Sequence, residues 1–584
     1  EQKMGFGAPE TRGAYALANL ELAYPNVWGR RIRPVDIVIE KDGLAHILTF
    51  DGDVYRVEGL ADREGQTTWR RIAAGFNEPQ SLELRDGEVF VFSRLGVTRL
   101  VDRDGDFETD YYEMFCNLFL QSADTRDLPM TLTLLEDGSF LVCKGGQQID
   151  AQSPHSGRAL RIAPDGGSIE VFVTGLRNGY LERHPVTNLL TASDQQGNWV
   201  PSTPLLLIEE GGYYGYAPSP AEDERAEREP ILWIPHRVSQ SGIGQVWALD
   251  ERLGGLDGSL LWLDYEGPKL LKAMISQRAP MEQASIVEVP LPLDVPILNG
   301  ALNPVDGSVY LVGFQIWGTR ARRYEGIARL SAVEPEDDLP VRVIGFCEGL
   351  LLEFSRSLNP EYARNPGSFE AKSWEYLRSG DYGSAQYKAD GTFGEDSWEI
   401  HSSLLSNDGR KVFLAIDGLR PTMQFEVEYN LFDEWRAAYL TFHRLERFDP
   451  ESEGFGAIDL QALFATAPAA RTARRAETGV SIEQGRAIYE RYACAGCHSI
   501  DGSTEGKMGP TFKDLYWKPR KLTTGWGPRA NDAYLRRSIL NPAAEIVDGY
   551  GGDDASMPSY RGILSEEDIE SLILFIRYLG GAGE

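Results

Sequence analysis

The 584-residue chain predicts a multidomain protein. The expected parts are a six-bladed β-propeller over residues 1–339, a small β-sandwich of immunoglobulin-like size over 340–447, a linker over 448–480 and an all-α domain over 481–584. Three observations carry that reading. Short β-branched and aromatic runs separated by turn signals recur from residue 14 to about 335, with no helical pattern between them. The strand pattern changes character near residue 340. Beyond residue 480 apolar residues recur at helical spacing instead.

The first region is read strand by strand. Val35 to Ile39 is followed by the turn Lys41-Asp42-Gly43 and the run Ala45 to Phe50. Glu88 to Phe92, Ser139 to Val142, Leu160 to Ile162, Ser308 to Val312 and Ile327 to Leu330 repeat the theme. Asp-Gly turns punctuate them at Asp86-Gly87, Asp137-Gly138, Asp165-Gly166 and Asp306-Gly307. Radial repetition of four-stranded blades absorbs a strand array of this length better than a sandwich does. In the second region Phe346 to Phe354, Val412 to Ile416, Met423 to Tyr429 and Ala438 to His443 read as antiparallel strands. Residues 448–480 have little periodic apolar content and read as a tether.

The last region is organised around Cys494-Ala495-Gly496-Cys497-His498. C-x-x-C-H is the attachment pattern of a c-type haem: each thiol adds to a vinyl group, and the adjacent imidazole ligates the iron. Ser481 to Gly485 begins a helix that leads into the motif, and Gly509-Pro510 follows it. Ser565 with Asp568 forms a capping box for a final amphipathic helix bearing Ile569, Leu572, Ile573, Ile576 and Leu579. With these features residues 481–581 resemble a class I cytochrome c. That family places its second axial ligand, a Met, in a loop shortly before the last helix. Met557 matches this place, and Met508, beside Gly509-Pro510, is the other candidate and is read as packing. A Met/His pair raises the potential of the iron and leaves no open position for peroxidase chemistry. This domain is expected to move electrons to a redox partner protein.

Composition narrows the class. A net charge of −30 argues against nucleic-acid binding, and no apolar run reaches the roughly 18 residues of a membrane span. The charge suits either a docking face for a basic redox partner or plain solubility. The sequence does not begin with Met, which reads as a mature exported chain, and haem c is attached outside the cytoplasmic membrane; a periplasmic or extracellular location is expected. Two of the five cysteines belong to the haem motif, which leaves Cys116, Cys143 and Cys347 with at most one disulfide among them.

Substrate chemistry is sought in the first region. Pro154-His155-Ser156-Gly157-Arg158 leads into the strand Leu160 to Ile162. Next come Gly175-Leu176-Arg177-Asn178-Gly179, Ser193-Asp194-Gln195-Gln196-Gly197-Asn198-Trp199 and Gly211-Gly212-Tyr213-Tyr214-Gly215-Tyr216. In this order the strings resemble soluble quinoprotein sugar dehydrogenases of the glucose and sorbosone type. The resemblance implies a six-bladed propeller with PQQ and calcium, His155 as the base for the substrate hydroxyl, and the Arg177–Asn178 segment against the quinone. The chemistry agrees: alcohol oxidation needs a proton acceptor while hydride leaves carbon, and an imidazole titrates near pH 6.5. Arg177 offers a fixed donor fork, Asn178 and Gln196 neutral hydrogen bonds, and Trp199 a stacking face. Lys144 and His236 are weaker candidates. The basic residues that would hold the PQQ carboxylates lack a motif, although Arg320, Arg322 and Arg323 lie late enough in the region. Across nearly its whole length, through Asp51 to Arg56, Trp69 to Ala73 and Tyr382-Gly383-Ser384, the chain also resembles the propeller–cytochrome "membrane-bound dehydrogenase" proteins of planctomycetes and verrucomicrobia.

Asp102, Asp104, Asp106, Glu108 and Asp110 alternate around a glycine turn, a supply of hard oxygen ligands for calcium. The other reading is an acidic hairpin turn. The expected function is oxidation of a sugar or alcohol with electrons leaving through haem c. The alternative is a non-enzymatic electron-transfer or binding protein whose propeller docks a partner or polysaccharide.

Overall fold

The computed structural model describes residues 1–62, 65–120, 122, 126–147, 153–220, 226–276, 283–464, 480–492, 494–503, 507–523, 525–550, 557, 560 and 564–579. Glu1–Ala469 form one compact unit and Ala470–Glu584 a second.

Most of the first unit is antiparallel sheet. Six sheets follow one another, and their first strands are Pro34–Ile39, Ser81–Arg85, Pro129–Leu134, Tyr180–Arg183, Gly242–Ala248 and Asn299–Leu302. Among the described residues no sheet closes on itself. Each first strand instead lies beside the first strand of the next sheet, and the sixth lies beside the first. Side chains lace this ring. Asn299 Nδ2 and Ser81 Oγ both donate to the Asp36 carboxylate, at 2.5 and 2.9 Å. The Leu132 N–H donates to Ser81 Oγ, the Leu181 N–H to Thr131 Oγ1, and Gln245 Nε2 to the Tyr180 carbonyl. A main-chain bond from Gly244 to Leu298 completes the circuit. These bonds satisfy polar groups that burial would otherwise leave costly. The sixth sheet takes its last strands from the start of the chain: Tyr15–Asn19 pairs with Glu325–Ala332.

The hairpin chemistry follows the expectation. Asp86 and Gly87 both have positive φ, the conformation a tight two-residue hairpin requires. β-Branched and aromatic side chains point into fully buried layers, among them Trp69, Trp233, Trp262 and Trp374.

Residues 340–447 depart from an independent sandwich. Gln283–Val289 of the fifth sheet pairs with Trp435–Phe442, so that sheet continues through Thr422–Asn430 and Phe369–Tyr376. A second sheet of Pro340–Phe346, Gly349–Phe354, Lys411–Ala415 and Ser402–Leu405 shares its core. The apolar run from Phe346 is therefore two strands, parted by a turn at Cys347-Glu348 with Gly349 at φ 152°. The expected linker also begins too early. Phe448 stacks on Phe413 at 3.7 Å, and Leu460–Phe464 is helical with Leu463 and Phe464 packed on the same cluster. Aromatic burial outweighs the weak periodicity there. The remainder of the linker, 465–479, lies outside the described residues.

The second unit contains helices Ile482–Arg491, Cys494–Cys497, Asp532–Leu540 and Glu566–Leu579, with a hairpin of Pro519–Leu522 and Gly525–Arg529. It is thus mainly rather than wholly helical. The capping box forms as read: the Ser565 N–H donates to Asp568 Oδ2, and the Asp568 N–H donates to Ser565 Oγ, each at 3.1 Å. Gly485 lets the first and last helices touch, because a Cβ there would lie 2.0 Å from the Ser571 carbonyl oxygen.

Candidate functional site

The haem-attachment motif is a single helical turn. The His498 N–H donates to the Cys494 carbonyl at 2.9 Å, which keeps both thiols and the imidazole on one short segment. Cys494 is buried, Cys497 half-buried, and neither is in a disulfide. The ring of His498 is fixed from several sides. Its Nδ1 lies 2.7 Å from the Pro510 carbonyl. A carbonyl only accepts, so the proton sits on Nδ1 and the Nε2 lone pair is free. Nε2 is buried and has no partner among the described residues. Burial holds the imidazole below its usual pKa and therefore neutral. Phe512 stacks on the ring at 4.6 Å, and Tyr489 Oη donates to the His498 carbonyl at 2.6 Å. Gly509 is required here, since its Cβ would come 2.5 Å from His498 Cε1.

A buried neutral imidazole with one oriented, unused lone pair beside two free thiols fits covalent haem with an axial histidine. Met557 is half-buried against the core of this unit, whereas Met508 is 54 % exposed and does not pack as expected. Pro558 and the flanks of Met557 lie outside the described residues. Tyr489 and Phe512 were missed as functional residues, because nothing in their local pattern distinguishes them from ordinary packing, and Pro510 was noted after the motif without its bond to His498.

In the first unit the structure brings several predicted residues together at loops beside the third and fourth sheets. Arg177 and Asn178 are buried, and their main-chain N–H groups donate to the two oxygens of Asp194 at 2.7 and 2.8 Å. The Gln195 N–H adds a third bond at 2.7 Å. Burial raises the Asp194 carboxyl above the ordinary range, and these donors oppose the shift. Arg177 Nη1 and Asn178 Nδ2 are buried without a partner among the described residues. Arg177 runs directly over Gly197, where a Cβ would meet Nε at 2.0 Å. The neighbouring loop is held close by Gly146 N–H donating to the Arg177 carbonyl and Leu176 N–H to that of Gly157.

Lys144 and Asp127 form a buried ion pair at 2.9 Å. Burial lowers the Lys144 pKa and Asp127 opposes it. Lys144 Nζ also donates to the Leu120 carbonyl. The Leu120 N–H in turn donates to His155 Nδ1 at 3.0 Å. That bond assigns the His155 tautomer: with Nδ1 accepting, the neutral ring carries its proton on Nε2. Burial, then the charges of Lys144 and Arg158, lower its pKa. His155 as held is a donor, and proton acceptance requires release of the Leu120 bond.

Gln196 and Trp199 are turned to other work. Gln196 Nε2 donates to the Pro201 carbonyl at 3.2 Å, and the Trp199 ring packs edge-on to Tyr216 at 6.2 Å. Arg320 and Arg323 pair with Glu266 and Asp294, at 2.8 and 3.1 Å. Among the acidic residues, Asp102, Asp104 and Asp106 come within 4.8 Å of one another, all exposed; Glu108 and Asp110 do not join them. Their oxygens accept main-chain N–H groups within the turn, from Gly105, Phe107, Asp106 and Glu108, as an acidic hairpin does. Asp194 was read only as part of its string and Leu120 not at all, because their partners are main-chain groups, and Asp127 was missed because its partner Lys144 is distant in sequence.

Residues 480–576 match the family described as cytochrome C oxidase, cbb3-type, subunit III. The C-terminal segment is a cytochrome c domain. Cytochrome c oxidase subunit 2 of Alkalihalophilus pseudofirmus is 34 % identical over 97 residues, which are 16 % of this chain and 25 % of that protein's length. Among solved structures, the PQQ-bound aldose sugar dehydrogenase of Streptomyces coelicolor is 15 % identical, with 56 % of this chain and 99 % of that one covered at a TM-score of 0.41. An oxidoreductase of Thermus thermophilus described as a glucose dehydrogenase is 17 % identical over 51 % of this chain and 96 % of its own, at 0.40. Superpositions of this quality do not carry a function from one chain to another. Among the described residues no helix is long and apolar enough to cross a membrane.

Proposed function

We propose that this chain is an exported quinohaemoprotein-like dehydrogenase, which oxidises a sugar or alcohol at its β unit and passes electrons through haem c to a partner protein. The observation that carries the electron-transfer half is the unpartnered Nε2 of His498 beside two free thiols. Six sheets with adjacent first strands, the last completed by the N-terminus, support a six-bladed propeller. For the oxidation, the supporting observation is the pair of buried, unpartnered donors Arg177 Nη1 and Asn178 Nδ2. They fit a flat, acceptor-rich group such as PQQ, which when bound supplies a two-electron acceptor for hydride. Asp194 orients the donors through the main chain. His155 meets the substrate oxygen first as a donor through Nε2–H, and takes a proton only after the ring leaves the Leu120 N–H.

The test is haem reduction, followed by absorbance, with a panel of sugars and alcohols, each with and without PQQ and Ca²⁺. Reduction that depends on PQQ and disappears in Arg177→Gln is the expected result. If dithionite reduces the haem and no substrate does, the dehydrogenase reading falls and the alternative, a protein that binds a partner or polysaccharide through its β unit, takes its place.

A further inference from the structure

The loop 377–384 belongs to the later strands of the first unit, between Phe369–Tyr376 and Gln386–Tyr387, yet its bonds go to the candidate site. The Trp199 N–H donates to the Ser379 carbonyl at 2.8 Å, the Gly383 N–H to that of Gly197 at 3.0 Å, and the Ser384 N–H to that of Pro201 at 2.9 Å. Asn198 Nδ2 adds a bond to the Gly380 carbonyl at 2.7 Å, and Asn198 bridges to Tyr382 in the manner of a strand pair. Gly383 packs so closely on Gln196 that a Cβ would meet its Nε2 at 2.1 Å. Such a seam holds the loop in one register on the turn that carries Gly197.

Its outcome is the position of Tyr382. The Arg177 guanidinium lies 5.3 Å from the centre of the Tyr382 ring. Arg177 is buried, while Tyr382 is 55 % exposed. One aromatic residue therefore lies over a buried cation while much of its own surface stays exposed. A cation–π contact of this kind holds the ring still, and a fixed, half-open aromatic face beside unpartnered donors is what a sugar ring stacks on.

We propose that Tyr382 is the outer wall of the Arg177–Asn178 site and the platform for a cyclic sugar, so that the later strands set which substrate enters. The proposal rests on the reading of that site as one for sugar oxidation and adds a specificity-determining residue to it.

The experiment is the rate at which phenylglyoxal modifies Arg177 in the full chain, read by peptide mass spectrometry, with and without D-glucose or maltose. Wild type and Tyr382→Phe are expected to react slowly, and one of the sugars to slow them further. Tyr382→Ala is expected to react about tenfold faster and to lose the protection. Equal rates in all three proteins overturn the wall. Protection that persists in Tyr382→Ala, or that no sugar produces in wild type, overturns the platform. Protection that is present while no sugar reduces the haem refutes the dehydrogenase reading and leaves the sugar platform standing. A circular dichroism spectrum matching wild type shows that Tyr382→Ala has folded, and Tyr382→Phe keeps the aromatic face whatever that spectrum shows.

Discussion

Replacing Asp194 tests the organisation of the candidate site most directly. Its carboxylate accepts the N–H groups of Arg177, Asn178 and Gln195, all within 2.8 Å. A hydrogen bond to a charged group contributes about 1.5–3 kcal/mol net, and a buried donor left unpaired costs about 1–3 kcal/mol. Asp194 is fully buried, and the penalty of holding a charge there offsets part of the gain. Asp194→Ala is therefore expected to destabilise the first unit by ~3 kcal/mol. That is a sizeable share of a domain stability of roughly 5–15 kcal/mol, so the chain still folds. Asp194→Asn keeps the shape but turns an amide NH₂ toward N–H donors, and its loss should approach that of the alanine variant. Urea unfolding followed by tryptophan fluorescence provides the readout. With a slope of roughly 3 kcal/mol per molar, the midpoint falls by about 1 M. Both variants staying within ~0.5 kcal/mol of wild type would refute the claim that this carboxylate holds the Arg177–Asn178 segment.

We predict that Met557→Ala lowers the haem potential and lets carbon monoxide bind, as loss of a second axial ligand would; unchanged spectra and potential would remove Met557 from the iron. Glu182, on the fourth first-strand, has its carboxyl pushed up to about 8 by burial and then by the charges of Glu83 and Asp36. Its folded value lies above the unfolded one, so its contribution is fully present below about 4.5 and is lost as pH rises from there to about 8. Stability of the first unit should fall over that window, and Glu182→Gln should flatten the curve; an identical pH profile would show that the group is not protonated in the fold. Gly485→Ala puts a Cβ 2.0 Å from the Ser571 carbonyl oxygen. The ~1 kcal/mol gain in helix propensity is outweighed by overpacking of about 1–3 kcal/mol, so the haem domain should melt several degrees lower at the Soret band. A raised melting temperature would mean that the two helices separate freely.

Much of the haem site was legible because its chemistry is local. Two thiols and an imidazole within five residues report themselves, as do a capping box and an apolar stripe. The strands around Val35, Phe90, Leu160 and Tyr310 were legible for the same reason, since alternation and Asp-Gly turns act over a few residues. Arg177, Asn178 and His155 could be named from the sequence as candidates, while their bonding states could not. The tautomer of His155 depends on a main-chain N–H thirty-five positions away, and the exposure of Met508 depends on how a loop lies on its core.

The boundaries near residues 340 and 448 misled for a different reason. A sheet that continues from Gln283–Val289 into Trp435–Phe442 is made by hydrogen bonds between distant segments, and no pattern in either strand names the other. Phe448 reads as loop until Phe413 is beneath it. By itself, then, the sequence determined the β character of the first unit, the haem-attachment segment and the residues with chemistry to offer, because propensity, turn geometry and covalent spacing act along the chain. Tertiary structure alone decided which lone pair His498 keeps free, which proton His155 carries, and that Tyr382 covers Arg177 from just over two hundred residues away in sequence. Those facts depend on desolvation and on bonds across the fold, which exist only once the chain has closed on itself.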